Sequence, residues 1–296
     1  MDVFFLDQTI ENLTVSFGRS KATPAVDPDI LGMEGAVNRV TRCEQIPDSL
    51  SQDADGWVVC CRECSSSLDV ARYLQARGRF PVWASVLCGR QWAGRGQKNR
   101  RWISPSGNLY AALHWPIFPP PWDRGIHLWI GYLTIRFMAR MNVYLKLKWP
   151  NDLVSAGNKV GGILIEQRNG LWMVGFGLNI ESSPCEAALR REHAMTAGHL
   201  GDVLPRLPVL SLWKKFVDFC RSAYDGMIHS GQPSEVLRQV EALLAYRNRA
   251  VRIVDGEFPI RGYILGLTEN GGLRLSCGKD EQVVYSGSIV PMEGRG

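Results

Sequence analysis

The sequence has no apolar run of the roughly 18–20 residues that a bilayer-spanning helix needs. Its opening "MDVFFLDQTI" is acidic where a secretory leader is basic. Both absences predict a soluble, cytoplasmic protein with no membrane contact. The eight cysteines lack the dense, regular spacing of a disulfide framework, and a chain of 296 residues does not need one to hold a core. "CCREC" contains one CxxC, Cys61 and Cys64, but no second CxxC and no nearby histidine completes a four-ligand zinc set. These thiols read as small buried hydrophobes. There is no GxxxxGK[ST] phosphate loop, no GxGxxG opening a helix, and no helix-turn-helix pattern in residues 1–55. Net charge is also modest. Lys+Arg 34 against Asp+Glu 29 leaves +5, which excludes a dedicated nucleic-acid binder and makes the local placement of charge the informative quantity.

At 45% apolar residues the chain can fill a core. Residues 1–55 read as an irregular arm containing one strand. A strand is expected at "WVVCC" (57–61), followed by serines capping a helix in "SSSLDVARYLQARG" that Gly78 ends. "PVWASVL" (81–87) reads as the next strand. "NLYAALHWP" is strand-like, residues 125–142 have helical spacing, and "VYLKLKW" (143–149) alternates as a half-buried strand does. Strands "KVGGILIEQ" and "LWMVGFGLNI" flank a turn at "RNG". Two amphipathic helices follow, "PVLSLWKKFVDFCRSAYDGMI" and "SEVLRQVEALLAY". Past Tyr246, short strands broken by glycine turns suggest a small closed barrel. The expected division is therefore an arm at 1–55, a main domain at 56–245 and a barrel at 246–296.

Two segments have the residues for chemistry. "GRQWAGRGQKNRRW" (89–102) combines glycines, which let backbone amides approach an anion, with arginines that supply forked cationic donors. Trp102 adds a stacking face. Such a loop suits an anionic ligand with a planar ring; a solvated basic loop or a nucleic-acid contact would use the same residues. In "KLKWPNDLVSAGNKVGGILIE", Lys148 ends a strand and Pro150 stops it. Asn151 and Asp152 stand at the turn. Asp152 suits Mg²⁺ or proton acceptance. Lys159 opens a new strand whose Gly161 and Gly162 leave space at the backbone. A plain hairpin with a polar turn explains Asn-Asp and the glycines, but not the two flanking lysines.

In combination these motifs resemble the biotin protein ligase family over roughly residues 57–290. The matching elements are Ser66-Ser67 at the first helix, "GRGQKNRRW" and "SPSGNLY", "KWPND" from Lys148 to Asp152, "KVGGILIE" from Lys159 to Glu166, and Gly175, Gly177 and Asn179 of a GxGxN turn. The resemblance implies an α+β fold: a mixed sheet backed by helices, similar to the catalytic domain of class II aminoacyl-tRNA synthetases, plus a small C-terminal SH3-like barrel. It implies ATP-dependent attachment of biotin to a lysine of a biotin carrier domain through biotinyl-5′-AMP. Biotin is the substrate, ATP with Mg²⁺ the co-substrate, and no tightly bound cofactor is expected. A lipoate or octanoate ligase is the alternative, although its RRxxGGGxVxHD-type signature has no counterpart here; a non-catalytic biotin-binding relative is another.

The same resemblance assigns roles. Arg95 and Lys159 neutralise the biotin carboxylate and the α-phosphate, with Lys148 and a Mg²⁺ near Asp152 on the phosphate side. Ser66, Ser67 and Gln91 bond the ureido ring and the pocket. Trp102 covers adenine, and Asn151 and Asn179 orient the nucleotide. Gly94, Gly96, Gln97 and Lys98 belong to the loop that closes over the ligands, and Asp152 or a water takes the amine proton in the transfer step. The chain departs from the family loop at Gln97, where an arginine is usual, and at Asn99, where a glycine is usual. Specific DNA binding is not expected; a homodimer is left open, as are the carrier's identity and the purpose of residues 1–55.

Overall fold

The computed structural model describes residues 2–6, 40–41, 56–168, 170–185, 195–204, 207–255 and 258–292. The expectations of an irregular arm and of no helix-turn-helix therefore fall mostly outside the described residues, but those described in 1–55 form two strands where one was expected. Within them, β1 (Asp2–Leu6) pairs in parallel with β2 (Val40–Thr41) and with β3 (Trp57–Cys64), Asp2 opposite Trp57. No helix of the described residues is long and apolar enough to cross a membrane.

The chain forms two compact units, each assembled from separated segments. The first comprises residues 1–117, 162–184 and 199–218. Its sheet is mixed: β3 lies parallel to β4 (Ser85–Gln91), which is antiparallel to β5 (Leu109–Trp115), itself antiparallel to β9 (Leu171–Leu178). The far portion of β8 (Asn158–Arg168) follows β9. Every residue of β5 is buried, and a strand covered on both faces reads as the continuous run "LYAALHW" rather than as an alternation. Helix α1 (Ser67–Gln75) buries Leu68, Val70, Ala71 and Leu74 against this sheet in one cluster with Val59, Val86, Tyr110 and Ala112. Trp213 and Phe216, at the start of α3 (Val209–Ser230), meet Phe176 of β9 with ring centroids 5.4 and 5.1 Å away.

Strand β4 begins four residues later than "PVWASVL" suggests. Pro81 has no amide to give a ladder, and residues 81–84 turn instead, Ala84 N–H donating to the Pro81 carbonyl at 3.0 Å. The strand then takes in Gly89, Arg90 and Gln91, the first residues of the glycine-arginine run.

The second unit comprises residues 118–161, 185–198 and 219–296. Helix α2 (Ile126–Ala139) is apolar around most of its circumference and correspondingly buried. Strands β6 (Lys146–Lys148) and β7 (Asp152–Ser155) form a short hairpin that puts Lys148 opposite Asp152. The strand expected over 143–149 is thus three residues long, because the alternation of buried Val143 and Leu145 around exposed Tyr144 reports burial and not ladder pairing. After α4 (Pro233–Ala242), five antiparallel strands run in the order β13 (Asp280–Val284), β12 (Leu273–Cys277), β11 (Ile260–Leu267), β10 (Ala250–Val254), β14 (Ser288–Pro291). The C-terminal strands thus form an antiparallel sheet, and among the described residues no pairing joins β13 to β14.

Candidate active site

In the first unit the candidate residues gather where β3 passes into α1 and β4 into the loop. Ser66 sits at the N-cap of α1 but its hydroxyl makes no capping bond, contrary to the expectation that the serines cap this helix. Gln91 does so in their place: its Oε1 accepts the Ser67 N–H at 2.8 Å, while its Nε2 donates to Ser104 Oγ at 3.0 Å. Ser66 and Ser67 are both buried.

The loop is a tight double-backed turn. Ala93 N–H bonds to the Ser65 carbonyl at 2.9 Å, Trp102 N–H to Gly94 at 2.8 Å and Gly96 N–H to Arg100 at 2.7 Å. Gly94 is needed for this closure, since a Cβ there would lie 2.6 Å from the Trp102 carbonyl and 2.8 Å from Ser104 Oγ. At the tip, Lys98 takes the left-handed backbone (φ 55°), so it is this residue that adopts the conformation a glycine would have eased. Gln97 and Lys98 are exposed, Gly96 is half-buried, and the Asn99 side chain lies outside the described residues.

Arg95 does not stand clear in solvent. Its Nη2 donates to Asp69 Oδ1 at 2.5 Å, and its Nε is buried with no hydrogen-bond partner among the described residues. Asp69 also receives Arg72 Nη1 at 2.9 Å and the Ser65 hydroxyl at 2.8 Å, and Arg72 reaches on to Glu166 of β8. Sequence reading missed Asp69, Arg72 and Glu166; the available signal was an acid in the first turn of α1, three residues after the cap. The Trp102 ring lies against Gly177, where a Cβ would come within 2.6 Å of it. Gly175 and Gly177 are residues of β9 rather than of a turn, and buried Asn179 follows the strand, its carbonyl accepting Leu200 N–H at 3.0 Å.

In the second unit, the β6–β7 hairpin and the start of β8 bring Lys148, Asn151, Asp152 and Lys159 together. Lys159 Nζ is 2.5 Å from Asp152 Oδ1, and buried Lys148 Nζ is 3.9 Å from Asp152 Oδ2. One carboxylate therefore lies between two ammonium groups. The Lys159 backbone is fixed on both sides, its N–H donating to Thr196 at 2.8 Å and its carbonyl accepting Gly198 N–H at 2.9 Å. Gly161 is buried in the same strand, and Gly162, the next residue, is half-buried in the first unit. Tyr246 also belongs here: burial and the Asp152 charge push its hydroxyl above the usual phenol range. Both lysines already occupy Asp152, and the described residues contain no carboxylate cluster of metal-ligand spacing, so this donor set does not fit a Mg²⁺ held by side chains.

The CxxC gains a third member, Cys88 of β4, the three sulfur atoms lying within 4.8 Å of one another. All three are buried; burial together with the neighbouring thiols holds Cys64 well above the usual thiol range, while Cys88, against the raising effect of burial, is held well below it by hydrogen bonds from Cys61, Cys64 and the backbone.

A sequence profile described as the biotin/lipoate A/B protein ligase family matches residues 84–177. The bifunctional ligase/repressor BirA of Escherichia coli is 28% identical over 213 residues, which is 69% of this chain and 65% of that protein. The Salmonella typhimurium BirA is likewise 28% identical, and the matched region spans 59% of it, so the chain spans less than two thirds of both relatives. A biotin--[acetyl-CoA-carboxylase] ligase of Paracoccus denitrificans is 32% identical over 123 residues, 36% of this chain and 48% of that one. In fold, the chain is similar to the biotin protein ligase of Aquifex aeolicus solved with biotin and ATP. The TM-score is 0.66 at 21% identity, covering 80% of this chain and 99% of that one. The profile falls on the loop-to-β9 segment, and over that segment and in its fold the chain is similar to biotin protein ligases.

Proposed function

We propose that this chain joins biotin to ATP as biotinyl-5′-adenylate and passes the biotinyl group to one lysine of a biotin carrier domain. Two separate observations support this: in the first unit Arg95 is set beside the serine-lined start of α1, and in the second Lys148 and Lys159 are set about Asp152. Two anions must meet in the first step, so preorganised cations lower its barrier. A biotin carboxylate oxygen attacks the α-phosphorus, the bond to the bridging oxygen breaks, and pyrophosphate leaves. Arg95 and Lys159 neutralise the carboxylate and α-phosphate, and Lys148 serves the phosphate side.

Ser66 and Ser67 bond the ureido group, while Gln91 fixes the helix start from which they project. Trp102 covers the adenine, and Asn151 and Asn179 orient the nucleotide. In the second step the carrier amine attacks the acyl carbon and AMP leaves, the amine proton passing to Asp152 directly or through one water. Residues 56–245 supply this chemistry, residues 246–296 form the SH3-like part, and the enzyme works in the cytoplasm without sequence-specific DNA binding. The test is ATP–pyrophosphate exchange and transfer of labelled biotin to a carrier domain, with lipoate and octanoate as competing acids. Exchange driven by lipoate or octanoate and not by biotin would move the chain to the lipoate side of the family.

A further inference from the structure

We infer that Asp69 is a positioning residue that holds the Arg95 guanidinium in place for the acid-activation step, an inference that rests on the activity proposed above. Asp69 belongs to a helix and Arg95 to a glycine-flanked loop 26 residues away, yet their side chains meet at 2.5 Å. Without that grip, an arginine between Gly94 and Gly96, one third exposed at its side chain, would spread over many rotamers. Asp69 is itself fixed from three sides, by the Ser65 hydroxyl, by Arg72 and by its place in the first turn of α1, with a side chain only 8% exposed. Glu166 anchors Arg72 in turn. Two acids and two arginines thus form a charge-balanced set, in which Arg95 is the member carried on the glycine-flanked loop.

The grip uses only Nη2 of Arg95. Nε remains buried and without a partner among the described residues, a donor that an anionic oxygen could satisfy. Asp69 therefore supplies orientation and leaves donor capacity for the carboxylate or phosphate. A bland role also exists: an acid in the first helical turn favours the helix dipole and pairs with Arg72 whatever the loop does.

A double-mutant cycle on acid-dependent ATP–pyrophosphate exchange separates the two. Asp69→Asn keeps the shape and loses the charge; kcat/KM for biotin is expected to fall about 10–100-fold, the range typical of residues that orient a reacting group. In an Arg95→Ala background the same substitution should cost less than about twofold, because there is no guanidinium left to orient. Glu166→Gln, which loosens Arg72 but leaves the Asp69–Arg95 contact, should cost less than about threefold. Equal losses from Asp69→Asn in both backgrounds, no loss in the natural background, or a Glu166→Gln loss as large as that of Asp69→Asn would each overturn the inference. Failure of the functional reading shows earlier and separately, as absence of biotin-driven exchange in the natural protein. If lipoate drives exchange instead, the cycle is run with lipoate and decides the role of Asp69 there.

Discussion

Gly177→Ala puts the sequence motif and the site geometry to one test. An added Cβ would lie 2.6, 2.7 and 2.8 Å from three indole atoms of Trp102, short of the 3.4 Å at which ordinary contact begins by about 0.6–0.8 Å. The strand has little room to yield, since Gly177 is paired opposite Tyr110 within a buried ladder. The indole must therefore shift, and with it the Trp102 N–H bond to Gly94 that closes the loop. Overpacking of this kind costs about 1–3 kcal/mol. At about 2–4 °C per kcal/mol, Tm should fall by roughly 2–12 °C. Single-turnover adenylate formation should fall more than stability alone explains, because the loop is displaced from its ligands. The Trp102→Ala, Gly177→Ala double variant should melt no lower than Trp102→Ala alone, the clash having been removed. A Gly177→Ala protein with natural Tm and natural adenylation rate would refute the reasoning.

Lys159→Ala should lower single-turnover adenylation about 10²–10³-fold while leaving thermal unfolding nearly unchanged, since the pair with Asp152 is partly exposed; an unchanged rate would place the site elsewhere. His114 and His127 are both held below the ordinary histidine value chiefly by burial, with backbone carbonyl bonds opposing. Their neutral forms belong to the fold, so stability is present above that ordinary value of 6.5 and is lost as pH falls below it. Melting should be lower at about pH 5.5 than at about pH 7.5, and His114→Gln, which can keep a donor to Phe80, should reduce the difference. Gln97→Arg should slow the escape of acyl adenylate, measured as stray biotinylation of bystander lysines without carrier; equal escape in both proteins would show that neighbouring cations already compensate.

Much of the fold was legible because its signals are local. Gly78, the apolar face of α1 and the turn in "KWPND" each act within a few residues, and the elements stand where those residues imply. Strand limits were less legible. The alternation over 143–149 marks burial truly but only three residues find a ladder partner, and Pro81 postpones β4 into the glycine-arginine run. At the candidate site, residue types and motif order pointed to Arg95, Lys148, Asp152 and Lys159. They could not show that Arg95 is bound to Asp69 or that Gln91 replaces the serines at the helix start, because those pairs are 26 and 24 residues apart in the chain.

The double engagement of Gln91 restricts what evolution can put at that position. A single amide serves as acceptor at Ser67 and as donor at Ser104, and it spans the two at 2.8 and 3.0 Å. Glutamate would preserve the first contact and require Ser104 to reverse its hydroxyl; leucine or methionine would strand both partners; asparagine is one methylene too short to reach them unchanged. Viable drift at 91 is therefore expected to be correlated with drift at 104. Among diverging copies of this chain, the start of α1 and the closing end of the loop should change as a linked pair or remain as they are.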